Sequence, residues 1–171
     1  MEFENEKARI LFLKYAIPCK EVLVKRGTMS KEYFDNLVSA VAKKEVPKGV
    51  EKDFKLAFSM CGKIAKNLGR KIDEEVIRKY FWIEHEKTIK KAYEGMMQDF
   101  TLEECTIYPG KVISSVINRE ALIKTPIKSF NYRTDFVPKL VKGDNVTVHY
   151  NFIAEIISEK DAKMLWGLRT K

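Results

Sequence analysis

The spacing of apolar residues along the chain changes near residue 100. Before this point apolar residues recur every three or four positions, which is typical of helices with one buried face. After Phe100 they alternate with polar residues, and β-branched residues become more frequent, which favours strands. The pattern predicts an α+β protein with a boundary between Gln98 and Glu104. It consists of a helical domain at residues 1-100 and a β domain at residues 101-171.

Start and stop residues divide the first domain into four predicted helices. Pro18 ends the first, because proline cannot extend a helix interior. Ser30 and Asp73 are good N-caps for the second and fourth helices. The third is predicted from about residue 50 to residue 68, and Gly69 ends it.

The second domain is predicted to contain several short strands, one long strand and a closing helix. The short strands are expected at residues 111–117, 121–128 and 133–138, and a turn at residues 142–144 leads into the long one. The long strand extends from Val146 to Ile156, and its alternation places His149 on the polar face, where we expect it to be exposed. Ser158 and Asp161 have the spacing of a capping box for the closing helix.

The positive charge of the chain is dispersed. The net charge is +8, but residues 1–102 hold 21 basic against 16 acidic side chains, and residues 103–171 hold 11 against 8. This distribution does not indicate a dedicated nucleic-acid backbone binder. We find no apolar stretch long enough for a membrane span, and the charged start, residues 1–9, is unlike a signal peptide. We therefore expect a cytoplasmic protein.

The three cysteines are far apart in sequence and form no Cys-x-x-Cys pair, so neither a disulfide framework nor a structural zinc site is predicted. Cys61 lies on an apolar helix stripe and should be a core residue. Cys19 follows a proline, has no histidine near it in sequence and could be exposed. Cys105 follows two glutamates where the extended segment begins, and we expect it to be partly exposed.

Two sequence blocks of the second domain carry a resemblance to a known family. Residues 105–112 read Cys-Thr-Ile-Tyr-Pro-Gly-Lys-Val, and residues 143–155 read Gly-Asp-Asn-Val-Thr-Val-His-Tyr-Asn-Phe-Ile-Ala-Glu. In this order they resemble HypC/HupF, the small chaperones of nickel-iron hydrogenase maturation, over roughly residues 105–168. The resemblance implies a small five-stranded, OB-like β-barrel with a C-terminal helix.

The resemblance also implies a site and its partners. The cysteine at the position of Cys105 would help to hold iron that carries cyanide and carbonyl ligands, with His149 nearby and the iron bound transiently. Pro109, Gly110 and Lys111 would belong to the surface that docks onto a HypD-like protein or a hydrogenase large-subunit precursor. Thiolate is a soft ligand that suits such iron. In that family the cysteine becomes the first residue after methionine removal, whereas Cys105 is internal.

The helical domain resembles the N-terminal part of an uncharacterised prokaryotic family that joins such a C-terminal module to helices. The similarity lies in residues 11–18, Leu-Phe-Leu-Lys-Tyr-Ala-Ile-Pro, and residues 80–84, Tyr-Phe-Trp-Ile-Glu. His85 follows the second block, and we expect it to be a surface or half-buried residue.

Catalytic motifs are not evident in the sequence, which lacks a glycine-rich phosphate loop, a nucleophile elbow and a His-Glu-x-x-His motif. We therefore predict a non-enzymatic accessory or chaperone protein. The alternative is a single-stranded nucleic-acid-binding OB-like protein, which would use a basic and aromatic face. That face would comprise Phe130, Tyr132, Arg133, Phe136, Lys139 and Lys142, with its aromatic side chains exposed. A third possibility is a scaffold whose barrel presents the helices to a partner.

Overall fold

The computed structural model of the protein describes residues 2–94 and 102–170. The predicted boundary, between Gln98 and Glu104, therefore lies partly outside the described residues. The chain forms two compact units, residues 1–105 and residues 106–171. Cys105 is thus the last residue of the first unit. Among the described helices, none combines the length and apolar character that a membrane crossing requires.

The first unit is helical. Its helices in chain order are α1 (Glu6–Ala16), α2 (Glu21–Lys25), α3 (Lys31–Lys43), α4 (Lys55–Asn67), α5 (Glu74–Arg78), α6 (His85–Ala92) and α7 (Leu102–Cys105). Short 3-10 turns, Ile17–Lys20 and Val50–Asp53, precede α2 and α4. A π-helical turn, Lys79–Glu84, joins α5 to α6.

The predicted caps of these helices are confirmed. The Ser30 hydroxyl accepts a hydrogen bond from the Tyr33 backbone N–H at 3.1 Å, and the Asp73 carboxylate accepts one from the Val76 N–H at 2.8 Å. Gly69 follows α4 with a φ of +65°, a left-handed conformation that glycine adopts without strain. Such caps depend on residues next to one another in sequence, so the pattern alone can identify them.

The chain departs from the prediction in two helical segments. After α1 ends at Ala16, Pro18 lies at the start of a 3-10 turn that continues into α2, a helix that the apolar pattern does not predict. The single helix predicted after Asp73 contains the π turn in its middle. Both departures bear on the candidate site, because Cys19 lies in the 3-10 turn and His85 directly follows the π turn.

Aromatic side chains fill the core of the helical unit. Phe12 of α1 contacts the rings of Phe54, Phe58 and Phe81, with centroids about 6 Å apart. Tyr15 stacks on Phe81 at 5.0 Å, and its hydroxyl accepts a hydrogen bond from the Trp82 indole at 2.8 Å. These contacts hold the π turn against α1.

The second unit is a five-stranded sheet followed by a helix, and with the first unit it gives the α+β class that the sequence predicts. The elements are β1 (Tyr108–Val112), β2 (Glu120–Lys124), β3 (Ser129–Arg133), β4 (Asn145–His149), β5 (Phe152–Ile156) and α8 (Glu159–Arg169). The strand order is β1-β2-β3-β5-β4, and β1 also pairs with β4. β3 meets β5 in parallel, with Arg133 opposite Phe152, whereas the other pairs are antiparallel.

The predicted strand boundaries need correction. The first strand begins three residues before residue 111, at Tyr108, and the third is Ser129–Arg133 rather than residues 133–138. The single long strand is instead the hairpin of β4 and β5, in which His149 pairs with Phe152 across a two-residue turn. Tyr150 begins this turn with a φ of +51°. Alternation of apolar residues continues through the turn, so the period cannot reveal it.

The predicted exposure of the polar face of β4 is wrong. Thr147 and His149 are as buried as their apolar neighbours, with exposed fractions of 0% and 1%. Helix α8 packs against β1 and β4, so β4 has protein on more than one side. The predicted N-cap of α8 is confirmed, because the Asp161 N–H donates to the Ser158 hydroxyl at 3.1 Å, and this hydroxyl donates to the Asp161 carboxylate at 2.7 Å.

Candidate functional site

The two sequence blocks behind the family resemblance form neighbouring strands of the second unit. Pro109, Gly110 and Lys111 of β1 lie opposite Thr147, Val146 and Asn145 of β4. The exposed Lys111 ammonium donates to the Asn145 side-chain oxygen at 3.3 Å. The predicted docking residues of β1 are therefore aligned with the strand that ends at His149.

Gly110 is required by the packing of β1 on β2 and β4. A Cβ atom built on Gly110 would lie 2.3 Å from Cγ2 of Ile123 and 3.5 Å from Cγ2 of Val146. Ile123 is fully buried, and its β-branched side chain has little rotameric freedom. The Pro-Gly pair thus lets the backbone of β1 approach the core closely.

Cys105 and His149 differ from expectation in their exposure. Cys105 is buried, with an exposed fraction of 3%, so the predicted partial exposure is wrong. The neighbouring Glu104 forms an ion pair with Lys25 of α2 at 2.9 Å, which ties α7 to the helical unit. His149 packs against the Tyr150 ring at 5.0 Å. Cys105 belongs to the first unit and His149 to the second, and their convergence stays a prediction.

A second thiol and imidazole meet within the helical unit. Cys19 Sγ lies 3.7 Å from His85 Nε2, although the two residues are 66 positions apart in sequence. His85 is buried, with an exposed fraction of 2%, so the expectation of a surface or half-buried residue is wrong. Cys19 is half-buried and therefore partly accessible. We refer to Cys19, Tyr80 and His85 as the Cys–His cluster.

Tyr80 forms a hydrogen bond with the other ring nitrogen of His85, Nδ1. The Tyr80 hydroxyl lies 3.1 Å from His85 Nδ1, and the two rings pack edge to face at 5.4 Å. Residues five apart in an α-helix are separated by about 140° around the axis. The wider π turn between Tyr80 and His85 brings them onto one side. Such turns occur frequently at functional sites.

Burial governs the acidity of the cluster. Enclosure by protein atoms raises the pKa of the Cys19 thiol well above its ordinary value, and the nearby Cys105 raises it further. Burial also raises the pKa of Tyr80, with a further contribution from Cys19. Both groups are therefore protonated at neutral pH unless a cation compensates their charge.

The cluster borders a cavity of the helical unit. The cavity has a volume of about 340 Å³, and its lining includes Cys19, Lys20, Lys55, Tyr80, His85 and Tyr93. Apolar side chains, among them Phe54 and Ile89, complete the wall. A thiol and an imidazole beside a mostly apolar cavity can bind a soft metal ion.

Comparison with known proteins finds no matching family model, no similar curated protein and no similar solved structure.

The Cys–His cluster was not predicted from the sequence, but its members lie beside recognisable segments. Cys19 follows residues 11–18, and His85 follows residues 80–84, the two blocks on which the helical domain's resemblance depends. A thiol and an imidazole directly after two such blocks form a signal that sequence reasoning could have used.

Proposed function

We propose that this protein is a non-enzymatic accessory factor of metalloenzyme maturation. Its second unit would act as an OB-like barrel that docks onto an iron-bearing partner or a metalloenzyme precursor. The observation that carries the proposal is the pairing of Pro109, Gly110 and Lys111 with residues 145–147, because a HypC-like module needs its two sequence blocks side by side. The closely packed Gly110 supports the same assignment.

The strand pairing supports the barrel. β1 pairs with both β2 and β4, β2 also pairs with β3, and β5 pairs with both β3 and β4. A sheet in which each strand has two neighbours protects its edges. The packing of α8 on β1 and β4 agrees with the C-terminal helix that the resemblance implies.

The docking surface would include the exposed Lys111 of β1, and Cys105 and His149 are the donors that the resemblance implies. Lys111 provides an exposed positive charge, whereas Pro109 and Gly110 are buried and fix the backbone. A thiolate at Cys105 would be a soft, strongly donating ligand for iron, with the His149 imidazole as a further ligand or hydrogen-bond donor. The iron would be cargo in transit between partners.

Affinity purification of the full chain from its native cells tests the proposal. Captured proteins would be identified by mass spectrometry, and iron would be measured in the eluate. We expect a HypD-like protein or a hydrogenase large-subunit precursor, together with iron. Capture should be lost in Cys105→Ala and His149→Ala and kept in Cys61→Ala, which removes a buried thiol from α4. Unchanged capture by the first two variants would contradict this docking site.

The nucleic-acid alternative has less support. Tyr132 and Phe136 have exposed fractions of 3% and 4%, so two of the three aromatic residues of the expected face belong to the core. Phe130 is exposed, at 46%, but the Lys128 ammonium lies 5.5 Å from the centre of its ring. Stacking of successive bases requires several accessible rings.

A further inference from the structure

We propose that the helical unit contains a metal site of its own, in which Cys19 Sγ and His85 Nε2 bind a thiophilic divalent ion of the zinc or ferrous class. This inference is independent of the proposed function, because it concerns the helical unit and does not require docking of a partner.

The separation of the two donor atoms fits a shared ion. Zinc binds thiolate sulfur at about 2.3 Å and imidazole nitrogen at about 2.0–2.1 Å, usually in a tetrahedron. Two such bonds at the tetrahedral angle place sulfur and nitrogen about 3.6 Å apart. Cys19 Sγ and His85 Nε2 are 3.7 Å apart. An ion could therefore bind both atoms with little movement of either side chain.

Tyr80 orients the imidazole as a ligand. Metal-binding histidines characteristically use one ring nitrogen for the metal and the other for a hydrogen bond that fixes the ring. Tyr80 OH lies 3.1 Å from Nδ1, which leaves Nε2 directed at Cys19. The π turn brings Tyr80 and His85 onto the same side of the helix, so the irregular helix positions the ligand.

Cys19 and His85 supply two ligands, and water or an incoming ligand would complete the tetrahedron. The cavity beside these two residues, about 340 Å³ in volume, provides the space for them.

A simple cysteine–histidine nucleophile is the competing interpretation of the same contact. Reactive cysteines have a lowered pKa, because the thiolate is the nucleophile. Rapid alkylation of Cys19 at neutral pH would therefore indicate a nucleophile, whereas protection of Cys19 by a bound metal ion would indicate a ligand.

Cobalt titration of the reduced full chain without oxygen tests the site, because Co²⁺ reports its ligands by absorbance. We expect thiolate-to-cobalt charge-transfer bands and intense tetrahedral ligand-field bands that saturate at one ion per chain, and loss of both on adding Zn²⁺. Cys19→Ala and His85→Ala should each weaken binding more than about a hundredfold, and Tyr80→Phe by about tenfold. Cys61→Ala, the matched thiol control, should bind as the original protein does.

Three outcomes would overturn the inference. They are weak octahedral cobalt spectra, spectra unchanged in Cys19→Ala and His85→Ala, and rapid alkylation of Cys19 at neutral pH without metal protection. Circular dichroism checks the fold of each variant, and Tyr80→Phe, which removes one oxygen atom, tests the site if an alanine variant misfolds. Failure of partner capture with normal cobalt binding would refute the proposed function and leave this site intact.

Discussion

At the scale of single residues, Arg9 is a buried charge of the helical unit with several hydrogen-bond partners. Its guanidinium is buried and donates to the Glu51 carboxylate at 2.9 Å, to the Glu6 carboxylate at 2.9 Å and to the carbonyl oxygens of Val46 and Pro47. One side chain thereby joins α1 to the segment between α3 and α4. A buried charge of this kind is stable while all its partners remain in place.

Replacing Arg9 should therefore destabilise the protein strongly. Arg9→Met leaves Glu51, whose side chain is 13% exposed, without its ion-pair partner. We expect the free energy of unfolding in urea to fall by about 3 kcal/mol. Glu6→Gln is the matched control, because the Glu6 side chain is 60% exposed, and it should cost less than about 1 kcal/mol. Equal losses in the two variants would refute this account.

Acid should remove the stabilisation by Glu51. Burial opposes its ionisation, but hydrogen bonds from backbone N–H groups and from Arg9 outweigh burial and lower the pKa of Glu51. Its stabilisation is fully present above the unfolded-state pKa, about 4.3, and is lost as pH falls through the lower folded-state value. In urea titrations, the difference in the free energy of unfolding between the original protein and Glu51→Gln should shrink as the pH falls below about 4.3. A constant difference would contradict the ion pair.

Gly110 and Gly167 allow a paired test of close packing in the second unit. Gly110→Ala should cost about 1–3 kcal/mol, because the new methyl group would collide with the buried Ile123. Gly167→Ala in α8 should instead stabilise by about 0.5–1 kcal/mol, since nothing lies within 4 Å of its added Cβ. Thermal unfolding of the two variants would measure the difference. Stabilisation by Gly110→Ala would show that the backbone of β1 does not approach Ile123 this closely.

At the scale of secondary-structure elements, the C-terminus of α3 provides a test of backbone strain. Lys44 has φ 60° and ψ 33°, and its N–H donates to the Val41 carbonyl at 3.1 Å. This left-handed position after a helix favours glycine. Lys44→Gly should stabilise the protein by about 1 kcal/mol. Lys43→Gly, which removes the same charge from the last helical residue, should instead destabilise it. The same sign in both variants would exclude backbone strain as the cause.

The π turn is the element that the sequence pattern cannot anticipate. The apolar side chains of residues 74–92 follow one helix period closely enough to predict a single helix, and the inserted turn changes which residues align beyond it. Its stability depends on tertiary contacts such as the hydrogen bond from Trp82 to Tyr15. Elements of this kind are decided by packing rather than by propensity.

At the scale of the whole molecule, the dispersed charge leads to a prediction about nucleic acids. We expect affinity for single-stranded DNA to be weaker than micromolar at physiological salt, because no described strand presents a row of exposed aromatic residues beside clustered basic ones. Fluorescence anisotropy over a salt series would measure it. The nucleic-acid alternative would be supported by tight binding with a steep salt dependence. This binding would have to be lost in Phe130→Ala and kept in Ile127→Ala.

The sequence by itself determined the features that depend on neighbouring residues. Ser30, Asp73 and Ser158 cap the predicted helices because each bonds to a backbone N–H three residues later. Cys61 is buried as its position on the apolar stripe predicts. The division into helices followed by strands is visible for the same reason, since each period reflects local geometry.

Tertiary structure decided the features that depend on distant residues. The burial of His149 comes from packing around β4, and the hairpin at Tyr150 follows from strand pairing that apolar alternation does not encode. The contact between Cys19 and His85 needs a 3-10 turn, a π turn and the packing of α1 against the π turn. Long-range packing brings such residues together, and a periodic pattern carries no information about which distant positions will meet.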